Sequence, residues 1–315
     1  MISDDKLSIV FPAYNEEASI ARVVKRTREI KPHAEIIVVD DGSNDRTALE
    51  AASEGAKVVR HPYNKGNGAA VKSGIRTATR EAVLLLDADG QHSPEDIDRL
   101  LEHMGQYDLV IGARDFSGQA GLHRGFANWA YNSLASYLVE MKIPDLTSGF
   151  RCFKREKVLE FIHLLPNGYS YPTTTTMSFI KSGYNVKFVP IKVHKRAKGS
   201  KSKIRLFRDG IRFINIILKI ITLFNPIKIF LPIAAMWLIL GFLYGLGNVV
   251  MRGNIPNGAV LLLSMGIIFF LVGLISEQIA ALRFERIGQV DTQLLEILSH
   301  ELLTGEQVGV ARDDG

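Results

Sequence analysis

The chain has 315 residues, 47% of them hydrophobic, with 38 Lys and Arg against 33 Asp and Glu, for a formal net charge of +5. This exceeds one small domain and suggests a module of about 200 residues plus additions. A single cysteine, Cys152, excludes an intramolecular disulfide and a cysteine-based zinc cluster, and within Phe150-Arg151-Cys152-Phe153 it reads as a buried core thiol, not a nucleophile.

The first residues, Met1 to Lys6, carry no apolar stretch and do not read as a signal peptide. Hydrophobic patterning then places strands at 7–13, 35–40, 56–60, 82–87 and 108–113. Helices at 16–30, 45–54, 67–80, 94–104 and 122–139 alternate with them, the pattern of a parallel α/β sheet. A strand at 149–153, helices at 155–164 and 173–182 and a strand at 186–194 complete this module.

Eight Lys and Arg with no acid lie between Lys192 and Arg208. Such a run could suit nucleic acid, but an amphipathic stretch and two long apolar segments follow at once, so anionic lipid headgroups or a lipid phosphate are the better partners. Ile204, Phe207, Ile211, Ile214, Leu218 and Ile221 recur at helical spacing opposite Arg205, Arg208, Asp209, Arg212 and Lys219. A surface helix packed on a soluble domain shows the same pattern. Before Asn225-Pro226 and membrane-like sequence, it reads as a helix lying on a bilayer.

Segments 227–250 and 258–282 are nearly uncharged and long enough to cross a hydrocarbon core of about 30 Å. Their link, Met251 to Asn257, holds one basic residue, whereas the basic run and Arg283/Arg286 flank the pair. That bias puts both termini and the α/β module in the cytoplasm. Glu277, the one acid within the spans, reads as snorkelling or water-exposed, with a polar contact between subunits as the alternative. A short helix near Thr292–Leu302 and an acidic end follow. The expected division is 1–203 catalytic, 204–225 juxtamembrane, 226–283 transmembrane hairpin and 284–315 tail.

Three strand ends carry polar clusters: Pro12-Ala13-Tyr14-Asn15-Glu16-Glu17, Asp40-Asp41-Gly42-Ser43 and Asp87-Ala88-Asp89-Gly90-Gln91-His92. Open parallel sheets build ligand crevices at such ends. On a strand, side chains at i and i+2 share a face, so Asp87 and Asp89 can approach one hard cation whose shell substrate phosphates complete.

Through these three ordered runs the chain resembles the inverting family-two glycosyltransferases of GT-A fold, a Rossmann-like, mostly parallel sheet. The resemblance implies a nucleotide-sugar donor, UDP- or GDP-linked, and Mg²⁺ or Mn²⁺ held by Asp87, Asp89 and Gln91. It further implies Pro12, Tyr14, Glu16 and Asp40 at the nucleoside, with Asp41 in either a binding or a turn role. Lys65, in Asn64-Lys65-Gly66-Asn67-Gly68, is placed to reach a phosphate, although a plain helix entry also explains the glycines. His92 is expected to cap the next helix. Gly90, where many relatives have a bulkier residue, is expected to loosen its turn.

The second half, in Ile111-Gly112-Ala113-Arg114, His123-Arg124-Gly125-Phe126-Ala127-Asn128, Asp145 to Arg151 and Arg196-Ala197-Lys198-Gly199-Ser200, resembles the dolichol-phosphate mannose synthase group and its bacterial polyprenyl-phosphate relatives. This implies a polyprenyl phosphate acceptor, dolichyl or undecaprenyl, bound by Arg114, Arg124, Asn128 and Arg196. Asp87, Asp89 and Arg124 are then the expected catalytic residues, and a homo-oligomer through the spans is possible. Asp87, Asp89 or Asp145 could assist a proton or orient an arginine. Two rivals share parts of the pattern: a polysaccharide synthase, whose Gln-x-x-Arg-Trp motif is not found here, and a non-catalytic nucleotide-sugar sensor, which the intact acids oppose.

Overall fold

The computed structural model describes residues 2–90, 92–114, 132–168, 170–191 and 222–304, with side chains up to Leu282. The chain divides into two units, Met1–Asn225 and Pro226–Gly315.

The first unit is built on seven strands: β1 Leu7–Ala13, β2 Glu35–Asp40, β3 Lys57–Arg60, β4 Ala82–Leu85, β5 Leu109–Arg114, β6 Arg151–Lys154 and β7 Val186–Ile191. They form one sheet in the order β3-β2-β1-β4-β6-β5-β7. β6 runs antiparallel to β4 and β5, and every other pairing is parallel. β1 and β4 are buried along their whole length, as strands covered on both faces must be. Helices α1 Ile20–Ile30, α2 Thr47–Ser53, α3 Asn67–Thr77, α4 Ile97–Leu101, α5 (132–139), α6 Arg155–Phe161 and α7 Tyr171–Lys181 complete the unit. α1 shows why they dock: Ile20, Val23, Val24 and Thr27 recur at helical spacing and are buried, while Arg22, Lys25 and Arg26 face water.

From β1 the chain steps outward through β2 and β3, then returns to the other side of β1 as β4. Connections therefore diverge between β1 and β4, the switch point where open α/β sheets leave a crevice.

Several boundaries differ from the sequence reading. β4 stops at Leu85, so Asp87 and Asp89 stand in the following turn and not on a strand face. α1 begins at Ile20, because the N–H groups of Asn15, Glu16 and Glu17 are tied to the side chains of Ser43, Thr47 and Asp45. The expected helix 94–104 is a 3₁₀ turn, Pro94–Asp96, followed by α4. α7 starts at Tyr171, with Pro172 in its first turn, where a missing N–H costs nothing. Of the expected helix 122–139 only 132–139 is described, and nearly all of the 204–225 stretch lies outside the described residues.

The second unit contains helices α8 Ile227–Arg252 and α9 Asn257–Thr304. Ile227–Arg252 and Asn257–Leu282, with mean hydropathy 2.2 and 2.7, are long and apolar enough to cross a membrane. α9 runs unbroken to Thr304, where the sequence reading had a span and a separate tail helix. Glu277 Oε2 accepts from Ile227 N at 3.3 Å. The lone acid of the spans thus serves a backbone donor of α8's first turn, which has no partner inside its own helix.

Candidate active site

β1 and β4 are paired with Val10 opposite Leu85, so β1 extends three residues beyond its neighbour. Leu86 N still donates to Val10 O at 3.1 Å, and the chain then turns away through Asp87-Ala88-Asp89. Beside this step lies a cavity of about 410 Å³, walled by Pro12, Tyr14, Glu16, Asp41, Asn64, Gly66, Asp87, Asp89, Thr147, Gly149, Tyr171 and Pro172, among others.

One wall of the cavity is made of loops that hold one another. Asn15, in the left-handed region at φ 56, donates its N–H to Ser43 Oγ, and its Oδ1 accepts from Asn44 N. Glu16 N donates to Thr47 Oγ1 at 2.8 Å, and Arg46 N donates to Glu17 Oε2. Tyr14 is left 43% exposed on the wall, an available aromatic face.

Asp41 organises the opposite rim. Its carboxylate accepts from Lys65 N at 2.9 Å and Gly66 N at 2.8 Å, and lies 2.6 Å from His61 Nδ1. His61 Nε2 is 2.8 Å from Ser73 Oγ, which completes a buried relay from α3 to the loop. α3 then packs so tightly on the 166–168 segment that a Cβ at Gly68 would lie 2.1 Å from Pro166 O. Close approach, more than helix entry alone, explains the glycines here.

Asp87 and Asp89 both reach the cavity wall despite leaving the strand. Asp87 presses on the chain opposite: a Cβ at Gly149 would lie 2.9 Å from both its carboxylate oxygens. His92 does not cap a helix. It is buried, stacks on Phe150 with ring centroids 5.4 Å apart, and places Nε2 3.5 Å from Asp87 Oδ2. Gly90 has φ +71, a conformation open to glycine and strained for a larger side chain.

These two carboxylates offer hard oxygen donors suited to Mg²⁺ or Mn²⁺. No group of three His, Cys, Asp or Glu able to hold a metal occurs among the described residues. The donor set therefore fits an ion that completes its shell with phosphate oxygens, and not an all-protein cage.

Beyond Asp87 the wall rests on two arginines. Arg114 grips Asp145 with a two-pronged pair, Nε to Oδ2 at 2.8 Å and Nη2 to Oδ1 at 3.0 Å, and also donates to Thr147 Oγ1 at 2.6 Å. Burial opposes both charges, but the pairing outweighs it: Asp145 is held below the ordinary carboxylate range and Arg114 is raised. Of the roles open to Asp145 in the sequence, the geometry displays the orientation of an arginine. Arg151 is wholly buried and donates to the carbonyls of Ser148 and Pro172 and to Thr176 Oγ1. Burial lowers its pKa to about 10, so it remains charged at neutral pH.

Of the donor-side residues expected from sequence, Pro12, Tyr14, Glu16, Asp87 and Asp89 share the cavity. Asp40 does not line it: 1% exposed, it accepts from Ser43 N at 2.9 Å and pairs with Arg60 at 3.1 Å. Lys65 contributes its backbone to the Asp41 clamp, and its ammonium lies 5.6 Å from the Tyr63 ring centroid. Gln91, Arg124, Asn128 and Arg196 lie outside the described residues. Cys152 is fully buried in β6 and its thiol is pushed up by burial, as a core residue should be. Thr147, Gly168, Tyr171 and Pro172 on the wall escaped the sequence reading. The signal for the last pair was a proline placed to open a helix after Gly168.

Residues 8–161 match the model for glycosyl transferase family 2, and 225–282 match the GtrB C-terminal hairpin. Over 303 residues the chain is 30% identical to undecaprenyl-phosphate 4-deoxy-4-formamido-L-arabinose transferase of Pectobacterium carotovorum, covering 89% of this chain and 90% of that one. The chain belongs to glycosyl transferase family 2. It is a glycosyltransferase with a GtrB-type hairpin after its catalytic unit. Polyprenol monophosphomannose synthase of Mycolicibacterium smegmatis is 34% identical over 213 residues, 61% of this chain and 78% of that one. Glucosyl-3-phosphoglycerate synthase from Mycobacterium tuberculosis, solved with Mn²⁺, UDP and phosphoglyceric acid, shares the GT-A fold at TM-score 0.56 and 21% identity, over 69% of this chain and 77% of that one.

Proposed function

We propose that this glycosyltransferase moves a sugar from a nucleoside diphosphate to a polyprenyl phosphate in one in-line displacement with inversion. The observation that carries the reading is the meeting of Asp87 and Asp89 with Pro12, Tyr14 and Glu16 around one cavity at the β1/β4 switch point. The named activities of the Pectobacterium and Mycolicibacterium relatives, both acting on a polyprenyl carrier, support the acceptor class.

In this reading Pro12, Tyr14 and Glu16 border the nucleoside, and the Asp41 clamp shapes the rim. A divalent cation held by Asp87 and Asp89, with Gln91, would neutralise charge on the departing diphosphate. Arg124, Asn128 and Arg196 receive the acceptor phosphate, with Arg114 contributing from its hold on Asp145. Guanidinium groups suit this role because their planar fork meets phosphate oxygens in pairs and stays charged. A phosphate monoester is already an anion near neutral pH, so alignment and desolvation matter more than a base. The two apolar helices keep the acceptor's tail in the bilayer, with the catalytic unit on the cytoplasmic side, the face that the flanking basic residues favour.

A thermal-shift panel of UDP- and GDP-sugars with Mg²⁺ or Mn²⁺ tests the donor half. The cognate pair raises Tm, and silence across the panel opposes the reading. Outside-only labelling of a cysteine at position 254 tests the orientation.

A further inference from the structure

One hydroxyl on the cavity wall has no task in the fold. Tyr171 is only 2% exposed yet lines the cavity, and its hydroxyl makes no hydrogen bond among the described residues. Buried tyrosines usually find a partner for that group. Nor is it among the fully enclosed polar atoms left without a hydrogen-bond partner among the described residues, such as His92 Nδ1, Ser148 Oγ and Ser178 Oγ. What remains open to it is the cavity.

The ring is fixed from behind. The Arg151 guanidinium lies 6.0 Å from the Tyr171 ring centroid and is itself held by Ser148 O and by Pro172 O, the latter at 2.8 Å. Arg151 thereby joins the residues flanking Thr147 and Gly149 to the first turn of α7. A charge this deeply buried, with no ion pair among the described residues, is tolerated when its donors are satisfied, and here they fasten one part of the wall to another. A phenol, with an ordinary pKa of about 10, is neutral at working pH.

A neutral hydroxyl can both donate and accept, which suits it to a sugar hydroxyl or amide. A donor whose diphosphate lies at Asp87 and Asp89 has its sugar within reach of the same cavity, which Tyr171 also lines. We infer that Tyr171 is a specificity residue that reads a polar substituent of the donor sugar, with Arg151 as the positioning residue that sets its ring. This rests on the proposed donor site and goes beyond it by assigning the sugar's contact.

The test is Tyr171→Phe in the full chain in detergent, measured by calorimetric binding of UDP, UDP-glucose, UDP-galactose, GDP and GDP-mannose with Mn²⁺. The wild type binds its best nucleotide sugar more tightly than the bare nucleoside diphosphate. The variant loses at least about tenfold of that advantage, keeps bare-nucleotide affinity within about twofold, and discriminates less between the epimeric sugars. Its Tm is unchanged or higher, because a hydroxyl without a partner is removed. An unchanged sugar increment, an equal loss for the bare nucleotide, or a lowered Tm overturns the inference. If the wild type binds nucleotide sugars but transfers none to undecaprenyl phosphate, the transfer reading fails while the sugar increment still decides for or against Tyr171.

Discussion

Arg114 and Asp145 hold each other through two parallel hydrogen bonds at 2.8 and 3.0 Å, with Asp145 almost wholly buried and the Arg114 side chain 26% exposed. Asp145→Asn removes one charge and leaves the other in a poorly solvated place. With Arg114 partly open to water, the cost should lie near the low end for a broken buried pair, about 2–3 kcal/mol. Asp145 has a folded-state pKa below its unfolded value, so its contribution is full above about pH 4 and fades as pH falls through the folded value. Thermal melts from pH 3 to 7 should therefore show a lowered Tm at neutral pH for the variant and a weaker acid dependence than wild type. An identical acid slope would contradict the assignment.

His61 acts on the cavity through Asp41, whose carboxylate also receives Lys65 N and Gly66 N. His61→Ala should loosen the Asn64–Gly66 rim and weaken nucleoside diphosphate binding about tenfold, near 1.4 kcal/mol. His61→Asn, which can still donate to Asp41, should recover part of it. Calorimetric titration of both variants checks this, and equal affinities in the two would argue against the relay.

Two glycines should separate stability from activity. At Gly68 an added Cβ meets a backbone carbonyl at 2.1 Å, so Gly68→Ala should cost about 1–3 kcal/mol and lower Tm by several degrees. At Gly149 it meets the Asp87 carboxylate at 2.9 Å, the end of a side chain that can swing away. Gly149→Ala should therefore change Tm little and reduce turnover about tenfold or more by displacing Asp87. Melting and rate measured side by side would show whether this division holds.

Much of the sheet was legible because β1 and β2 carry the apolar runs Ile9–Phe11 and Ile36–Val39 ahead of polar clusters, and both match their expected bounds. The site was legible by motif but not by geometry. Asp87 and Asp89 reach one cavity through a turn, since β4 ends two residues before Asp87, where period-two reasoning expects a shared strand face. Asp40 and Asp41 look alike in sequence; only the return of β3 into His61 and Lys65 decides which carboxylate faces the rim. Tyr171 was hidden because its importance lies in a contact with Arg151, twenty residues away and unrelated by any local period.

Asp89 is expected to be the principal metal-side carboxylate. Asp89→Ala should lower turnover at least about a hundredfold, the scale for losing a main electrostatic stabiliser, and should weaken Mn²⁺-dependent UDP binding. Full wild-type activity in excess chelator would remove the metal from the account.

Transfer to a lipid phosphate is measured most directly as product formation. Purified full-length chain in lipid nanodiscs, with Mn²⁺ and the radiolabelled nucleotide sugar selected by thermal shift, is given undecaprenyl phosphate or undecanol as acceptor. Label is expected in the organic-extractable fraction with the phosphate alone, as a mild-acid-labile sugar phosphate with anomeric configuration opposite to the donor. Transfer to the alcohol at a comparable rate, a retained anomeric configuration, or a water-soluble polymer in place of the lipid product would contradict it.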